Sequence, residues 1–183
     1  MSRLKRDENG CLIFKDYPMF RPNKTPRQVI LEGAFGGTYF RPIYSKINKK
    51  NYKDVHKKYN FFNDINNDLL TLPWKYYDKD INKYKVKVGT TLEFWEYKNW
   101  IHPKHPYGWF QWYCDFVIGK RSEDDERQIQ RWLQTAGPNS RFRKRLINMV
   151  NDENTDYDNY DISPKIRQTL LHWGYELNEN DLY

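Results

Sequence analysis

The stretch Tyr107–Ile118, YGWFQWYCDFVI, sets six aromatic rings in twelve residues and leaves Gln111 and Asp115 as its fully polar side chains. A helix at a protein surface keeps a polar stripe for solvent, whereas one that is apolar nearly all round has to be buried. The spacing therefore predicts a central buried helix over 107–118. Trp109, Trp112 or Tyr113 and Phe116 mark one face, and Phe110, Cys114 and Val117 another. Gln111 and Asp115 sit four apart on this helix, so once buried each needs a protein partner. The partner expected for Asp115 is an arginine of the next helix, Arg127 or Arg131.

After Gly119 the chain changes character, to SEDDERQIQRWLQTA and then SRFRKRLINMV. Ser122 is expected to cap the first of these helices, with Glu123, Asp124, Asp125 and Glu126 in the first turn, where carboxylates complement the helix dipole. Ile129, Trp132, Leu133 and Ala136 form its inward stripe, and Gly137-Pro138 stops it. Ser140 or Asn139 caps the second, Arg141–Val150, with Phe142, Leu146, Met149 and Val150 inside. Here a local rule is broken. Arg141, Arg143, Lys144 and Arg145 crowd the first turns, where each cation opposes the dipole by ~0.3–1 kcal/mol. Such a conflict points to function. An anion at that N-terminus would meet free N–H groups, the dipole and guanidinium forks together. The competing reading pairs these arginines with the acid-rich loop NDENTDYDNYD, residues 151–161.

Elsewhere the signals are local. Residues 1–24 are polar and carry Pro18 and Pro22, which reads as an extended arm with an apolar cluster at Leu12, Ile13 and Phe14. Thr25-Pro26 starts a helix that Gly36-Gly37 ends. Residues 44–88 are rich in Asn, Lys, Asp and Tyr and read as irregular. Trp74 is expected to anchor the loop 71–80, and a short strand is expected where Tyr84, Val86 and Val88 alternate with Lys. Thr90 with Glu93 makes a capping box for a helix carrying Leu92, Trp95 and Trp100. HPKHP, 102–106, breaks that helix; Ser163-Pro164 opens the last one, with Ile166, Leu170 and Trp173 inward; and 176–183 reads as a frayed tail. The fold class expected is mainly α. It is one compact domain over 25–175, with five or six short helices around the 107–118 helix.

Charge narrows the partners. The net charge is +7, and it is unevenly spread: fourteen Lys/Arg against five Asp/Glu in 1–60, two against eight in 151–183. Such asymmetry favours an anionic partner, unless the two ends neutralise each other on folding. Two cysteines, Cys11 and Cys114, are too few for a disulfide framework, and no segment reaches the ~20 apolar residues that span a bilayer. An intracellular location, in cytoplasm or nucleus, is expected, with no membrane association and no secretion. Gly36-Gly37-Thr38 lacks the longer glycine frame, lysine and following helix of a phosphate loop. His102 and His105 supply two ligands where a closed zinc site wants four, and only Cys114 and the distant Cys11, His56 and His172 remain, so neither metal nor cofactor is expected.

The runs GWFQWYCDFVIGKR, DDERQIQRW and RQTLLHWGY together resemble a family of uncharacterised intracellular proteins, over roughly residues 25–175. That resemblance implies no activity, cofactor or catalytic residue. From the residues themselves the function expected is nucleic-acid binding without catalysis, through Arg127, Arg131, Arg141, Arg143, Lys144 and Arg145. Six of the eight basic residues between 119 and 145 are Arg, which suits planar, bidentate recognition of phosphate. The first alternative is a metal-dependent enzyme acting on nucleic acid or nucleotides through Asp115, Asp124 or Asp125. The second is a protein-interaction module using Tyr and Trp of residues 52–84.

Overall fold

The order of elements follows the local signals closely where a cap residue meets an apolar stripe. Residues 4–182 are described by a computed structural model; the first three residues of the arm and Tyr183 of the tail lie outside them. Helix α1 spans Pro26–Leu31, a hairpin pairs β1 (Ile43–Ser45) with β2 (Lys50–Tyr52), and short 3-10 turns fill the chain from 55 to 81. Then come α2 (Leu92–Tyr97), α3 (Trp109–Val117), α4 (Asp125–Ala136), α5 (Arg141–Asp152) and α6 (Pro164–His172), with a closing 3-10 turn at Glu179–Asp181. The molecule is a small, mainly α single domain. β1 and β2 are antiparallel, with Ile43 opposite Tyr52 and Ser45 opposite Lys50.

Capping chemistry sets the helix starts. Thr25 Oγ1 accepts the Gln28 N–H while the Gln28 side chain takes the Thr25 N–H, a reciprocal box with Pro26 at the first helical position. Ser140 Oγ accepts from Arg143 N at 3.1 Å, and Pro164 opens α6. Three boundaries differ from expectation. α1 stops at Leu31, because Gly33 takes φ +67°, and a Cβ there would stand 2.0 Å from the Ile81 carbonyl; Gly36-Gly37 belong to the turns beyond. Thr91, one residue on from Thr90, caps α2 and accepts from Phe94 N. Asp124 takes the cap position of α4, while Ser122 is held against the Asp125 carboxylate.

Eight of the nine residues of α3 are buried, and the arm supplies the ring they pack on. Phe20, fully buried, meets Trp109, Trp112, Tyr113, Phe116 and Trp132 at 5.2–6.4 Å between ring centres. Within the described part of the arm, Leu12, Phe14 and Phe20 are core. The described residues of 176–183 are not frayed. Leu177 is buried, Asn23 holds both the N–H and the carbonyl of Glu176, and Asp181 accepts from Arg143 and Tyr175. No strand forms at 84–88, since no neighbour offers a ladder. The chain turns at 83–84 and Lys85 is left-handed at φ +57°, so the alternation sorts Tyr84, Val86 and Val88 inward from exposed Lys85 and Lys87 without a strand. Phe142, expected inside, is 42 % exposed; Leu146 and Val150 carry the buried side of α5.

Candidate functional site: an aromatic cleft

Two adjoining cavities, of about 270 and about 40 Å3, share Phe35, Tyr39, Val88, Gly89, Thr90, Trp95 and His172 as lining and form one cleft. α2 and the loop after it contribute Trp95 and Trp100, α3 contributes Trp109 and Phe110, α4 contributes Arg131, and the end of α6 contributes His172 and Trp173. The smaller end is closed by Arg41, Trp74 and Tyr77. Five of the seven tryptophans in the chain therefore face this one concavity. Tryptophans 112 and 132 are spent on the core instead. Gly108 caps α3 with φ +98° at the cleft wall, where a Cβ would press on Ile101 at 3.3 Å and Trp95 at 3.5 Å.

Several hydrogen bonds fix the walls. Trp95 Nε1 donates to Thr90 Oγ1 at 2.8 Å, Trp109 Nε1 to the Gln128 carbonyl at 3.2 Å, and Trp132 Nε1 to the Trp173 carbonyl at 2.8 Å. Trp74 is not the buried anchor expected of it. It is 39 % exposed, and Arg41 and Lys87 lie over its ring at 5.0 and 4.2 Å. Trp100 is equally exposed, so both rings reach solvent at the rim.

The charge in the cleft is all of one sign. No Asp or Glu is among the lining residues, and among the described residues neither Arg131 nor Arg41 has a carboxylate within ion-pair reach. Arg131 lies between Trp100 and Trp173, 5.6 and 5.4 Å from the ring centres, and donates to Gln128 Oε1 at 2.9 Å. Burial pushes its guanidinium down to about 10, the neighbouring Arg127 charge acting in the same direction. It stays charged at neutral pH all the same. Arg41 is lowered by burial too. His172 is pushed down to about 4 by burial, against its bond to the Ala34 carbonyl at 2.5 Å. A carbonyl only accepts, so Nε2 carries the proton and Nδ1 keeps a lone pair. Positive charge among aromatic faces and no carboxylate disfavour a cationic ligand and favour a flat anion.

The residues expected to bind nucleic acid do not form one patch. Arg127 is occupied by Asp124, Nε to Oδ1 at 2.5 Å and Nη2 to Oδ2 at 2.9 Å. Arg143 turns inward to Asp181 and lies over the Tyr175 ring at 4.0 Å, so the cation at the third position of α5 does have a compensating partner, 38 residues away. Arg141, Lys144 and Arg145 are exposed, and among the described residues none pairs with the 151–161 loop. That loop is held instead by Arg167, 2 % exposed, which donates to the carbonyls of Tyr157, Asn159 and Ile162 at 2.8–2.9 Å. Only Lys24–Glu176, of the ion pairs among the described residues, joins the basic first sixty residues to the acidic last stretch. The charge asymmetry thus survives folding.

The carboxylates also find partners other than those expected. Asp115 meets His105 Nε2 at 3.3 Å, Lys58 at 3.3 Å and Lys120 at 3.5 Å, not Arg127 or Arg131. Burial would raise this carboxyl, but the His105 hydrogen bond and the Lys58 charge outweigh it and hold it at about 2. Gln111 Oε1 accepts the Tyr107 N–H at 2.9 Å. Asp125 accepts from Trp112 Nε1 at 2.8 Å and from Ser122. Asp115 and Asp125 line a shallow depression of about 250 Å3 together with Lys104, Lys120 and Arg121; Asp124 is not part of it. Free Cys11 and Cys114 are both buried. No helix among the described residues is long and apolar enough to cross a membrane. No protein-family model, curated protein or solved structure matches the chain, so the site stands on its geometry alone.

Proposed function

We propose that this protein binds nucleic acid by taking an unpaired base into the aromatic cleft and setting phosphate against Arg131 and Arg41. The observation that carries this reading is the pair of carboxylate-free guanidiniums on a cavity walled by tryptophan. Stacking on aromatic faces is worth ~1–3 kcal/mol per base and tolerates any base, while a guanidinium fork matches phosphate in a bidentate way. A cavity of about 270 Å3 suits one planar ring system better than a folded polymer segment. Exposed Arg141, Lys144 and Arg145 on α5 add phosphate contacts outside it. Arg127 and Arg143 serve the fold in this scheme.

The test is tryptophan fluorescence and anisotropy of labelled single- and double-stranded oligonucleotides across a salt series. Single strands should bind more tightly, quench the cleft tryptophans, and weaken steeply with salt as counterions are released. Absence of binding at low salt removes the proposal. Binding that quenches tryptophan but ignores salt would favour instead a protein-interaction surface.

A further inference from the structure

The loop between α2 and α3 and the N-terminus of α4 together carry a second cluster, on side chains that the cleft does not use. One nitrogen of His102, one of His105 and one carboxylate oxygen of Asp124 all lie within 4.8 Å of one another. Asp124 is 5 % and His105 4 % exposed. We propose that His102, His105 and Asp124 bind a transition-metal dication of the zinc type, with Glu123 as the fourth ligand.

An unpaired atom gives the independent support. His105 turns Nε2 to the Asp115 carboxylate at 3.3 Å, which leaves Nδ1 as the lone-pair nitrogen, and that Nδ1 is fully buried with no hydrogen-bond partner. An orphaned lone pair in the interior is costly, and a metal ion would satisfy it. The order carboxylate, imidazole, ion is the usual way that a metal-binding histidine is oriented and made more basic. Asp115 thus has a purpose that its lysine partners do not explain.

Asp124 and Glu123 have capacity left, while His102 exchanges the Lys104 N–H that its Nδ1 accepts at 3.2 Å for the ion. Asp124 accepts Arg127 Nε on Oδ1, and Arg127 Nη2 with Gln128 Nε2 on Oδ2, so Oδ1 keeps an open lone pair in a carboxylate already locked in place. Glu123, exposed and also paired with Lys104, brings Oε1 to 3.6 Å from His102 Nε2. Bonds of ~2 Å need the four groups to draw together by side-chain rotation, which the exposed Glu123 and half-buried His102 permit. Two imidazoles and two carboxylates suit Zn2+, Co2+ or Ni2+; Mg2+ and Ca2+ prefer all-oxygen shells. Two carboxylates also balance the charge of a dication, while Arg127 remains neutralised only in part.

The experiment is a titration of the chelator-treated full chain with Zn2+ against a chromogenic competitor, and with Co2+ followed by visible absorption. One equivalent should bind and resist equal concentrations of Mg2+ and Ca2+. His102→Ala should weaken binding at least tenfold, and Asp115→Asn, which removes only the orienting carboxylate, by 10- to 100-fold. Because Asp124 and His105 are buried and their variants risk misfolding, His102→Ala and Glu123→Gln at the surface carry the decision, with circular dichroism as the folding control. No binding above the buffer blank overturns the proposal, and so does wild-type affinity in the His102→Ala/Glu123→Gln double variant.

Discussion

Trp112 and Trp100 differ in how completely neighbouring rings cover them, the first 1 % and the second 39 % exposed. Around Trp112 and Trp132 the arm delivers Phe20, and the space closes. Around Trp95, Trp100 and Trp173 the cover is partial: Phe94, itself 38 % exposed, meets Trp100 at 5.6 Å, Trp109 meets Trp173 at 4.6 Å, and a cavity of about 270 Å3 remains. Trp109 belongs to both regions, with Phe20 and Tyr113 against its ring and the cleft beside it. Aromatic content alone therefore does not distinguish core from site. What distinguishes them is the charge placed alongside: the Asp125 carboxylate bound to Trp112 Nε1 in the first region, and Arg131 and Arg41, with no carboxylate partner among the described residues, in the second.

The largest effect is expected at the filled region. Phe20→Ala should cost ~3–5 kcal/mol, as should Trp112→Ala, since each leaves a cavity lined by rings that cannot collapse. Urea unfolding followed by circular dichroism measures both. A loss below ~1 kcal/mol for Phe20→Ala would break the comparison, because the arm would then be a cover and not a core element.

A smaller effect should appear with pH at the boundary of the cleft. The folded state keeps His172 neutral to about 4, while the unfolded chain takes a proton from its ordinary 6.5 downward. Stability from this group is therefore complete above 6.5 and falls as pH drops toward 4. At 1.36 kcal/mol per unit the ceiling is ~3 kcal/mol, reduced where the open cleft screens the ring. Denaturant midpoints at pH 7 and 4.5 for the wild type and His172→Gln test this. The variant should show the shallower pH dependence, and equal slopes would mean that the cleft admits enough solvent to hydrate the imidazolium.

How much of this was legible in the chain depended on distance along it. Thr25-Pro26, Ser140 and Ser163-Pro164 mark helix starts within four residues, and the apolar run of α3 announces its own burial; these elements appear where the sequence places them. Phe20 hides between Pro18 and Pro22, with no periodicity to single it out. Arg143 looks like an uncompensated cation because Asp181 lies 38 residues on, in a stretch that reads as a tail. The cleft is assembled from residues 35–41, 74–77, 88–110, 131 and 169–173, and no local pattern connects them. The helix dipole accounts for Asp124 in the sequence, so its approach to His102 and His105 has no signal in spacing.

At the rim the comparison should invert. Trp100→Ala removes a ring that is already 39 % exposed, so it should cost less than ~1 kcal/mol of stability. It should nevertheless weaken oligonucleotide binding several-fold to a hundredfold, the loss of one stacked base. A variant that unfolds easily but binds normally would assign Trp100 to the core.

The smallest stability effect separates the cleft from the basic face of α5. Arg141 and Arg145 touch no carboxylate among the described residues, so Arg141→Ala/Arg145→Ala should stay within ~0.5 kcal/mol of wild type, whereas Arg143→Ala strands the Asp181 carboxylate, whose side chain is 6 % exposed, and should cost clearly more. Replacing all three together would confuse a folding defect with lost binding. In the double variant the two readouts part: stability is unchanged, while each lost phosphate contact lowers the slope of log affinity against log salt by about one. A slope lower by about two places α5 on the path of the strand that enters the cleft. An unchanged slope, with Trp100→Ala still defective, confines recognition to the cleft and leaves Arg141 and Arg145 as solvated charge.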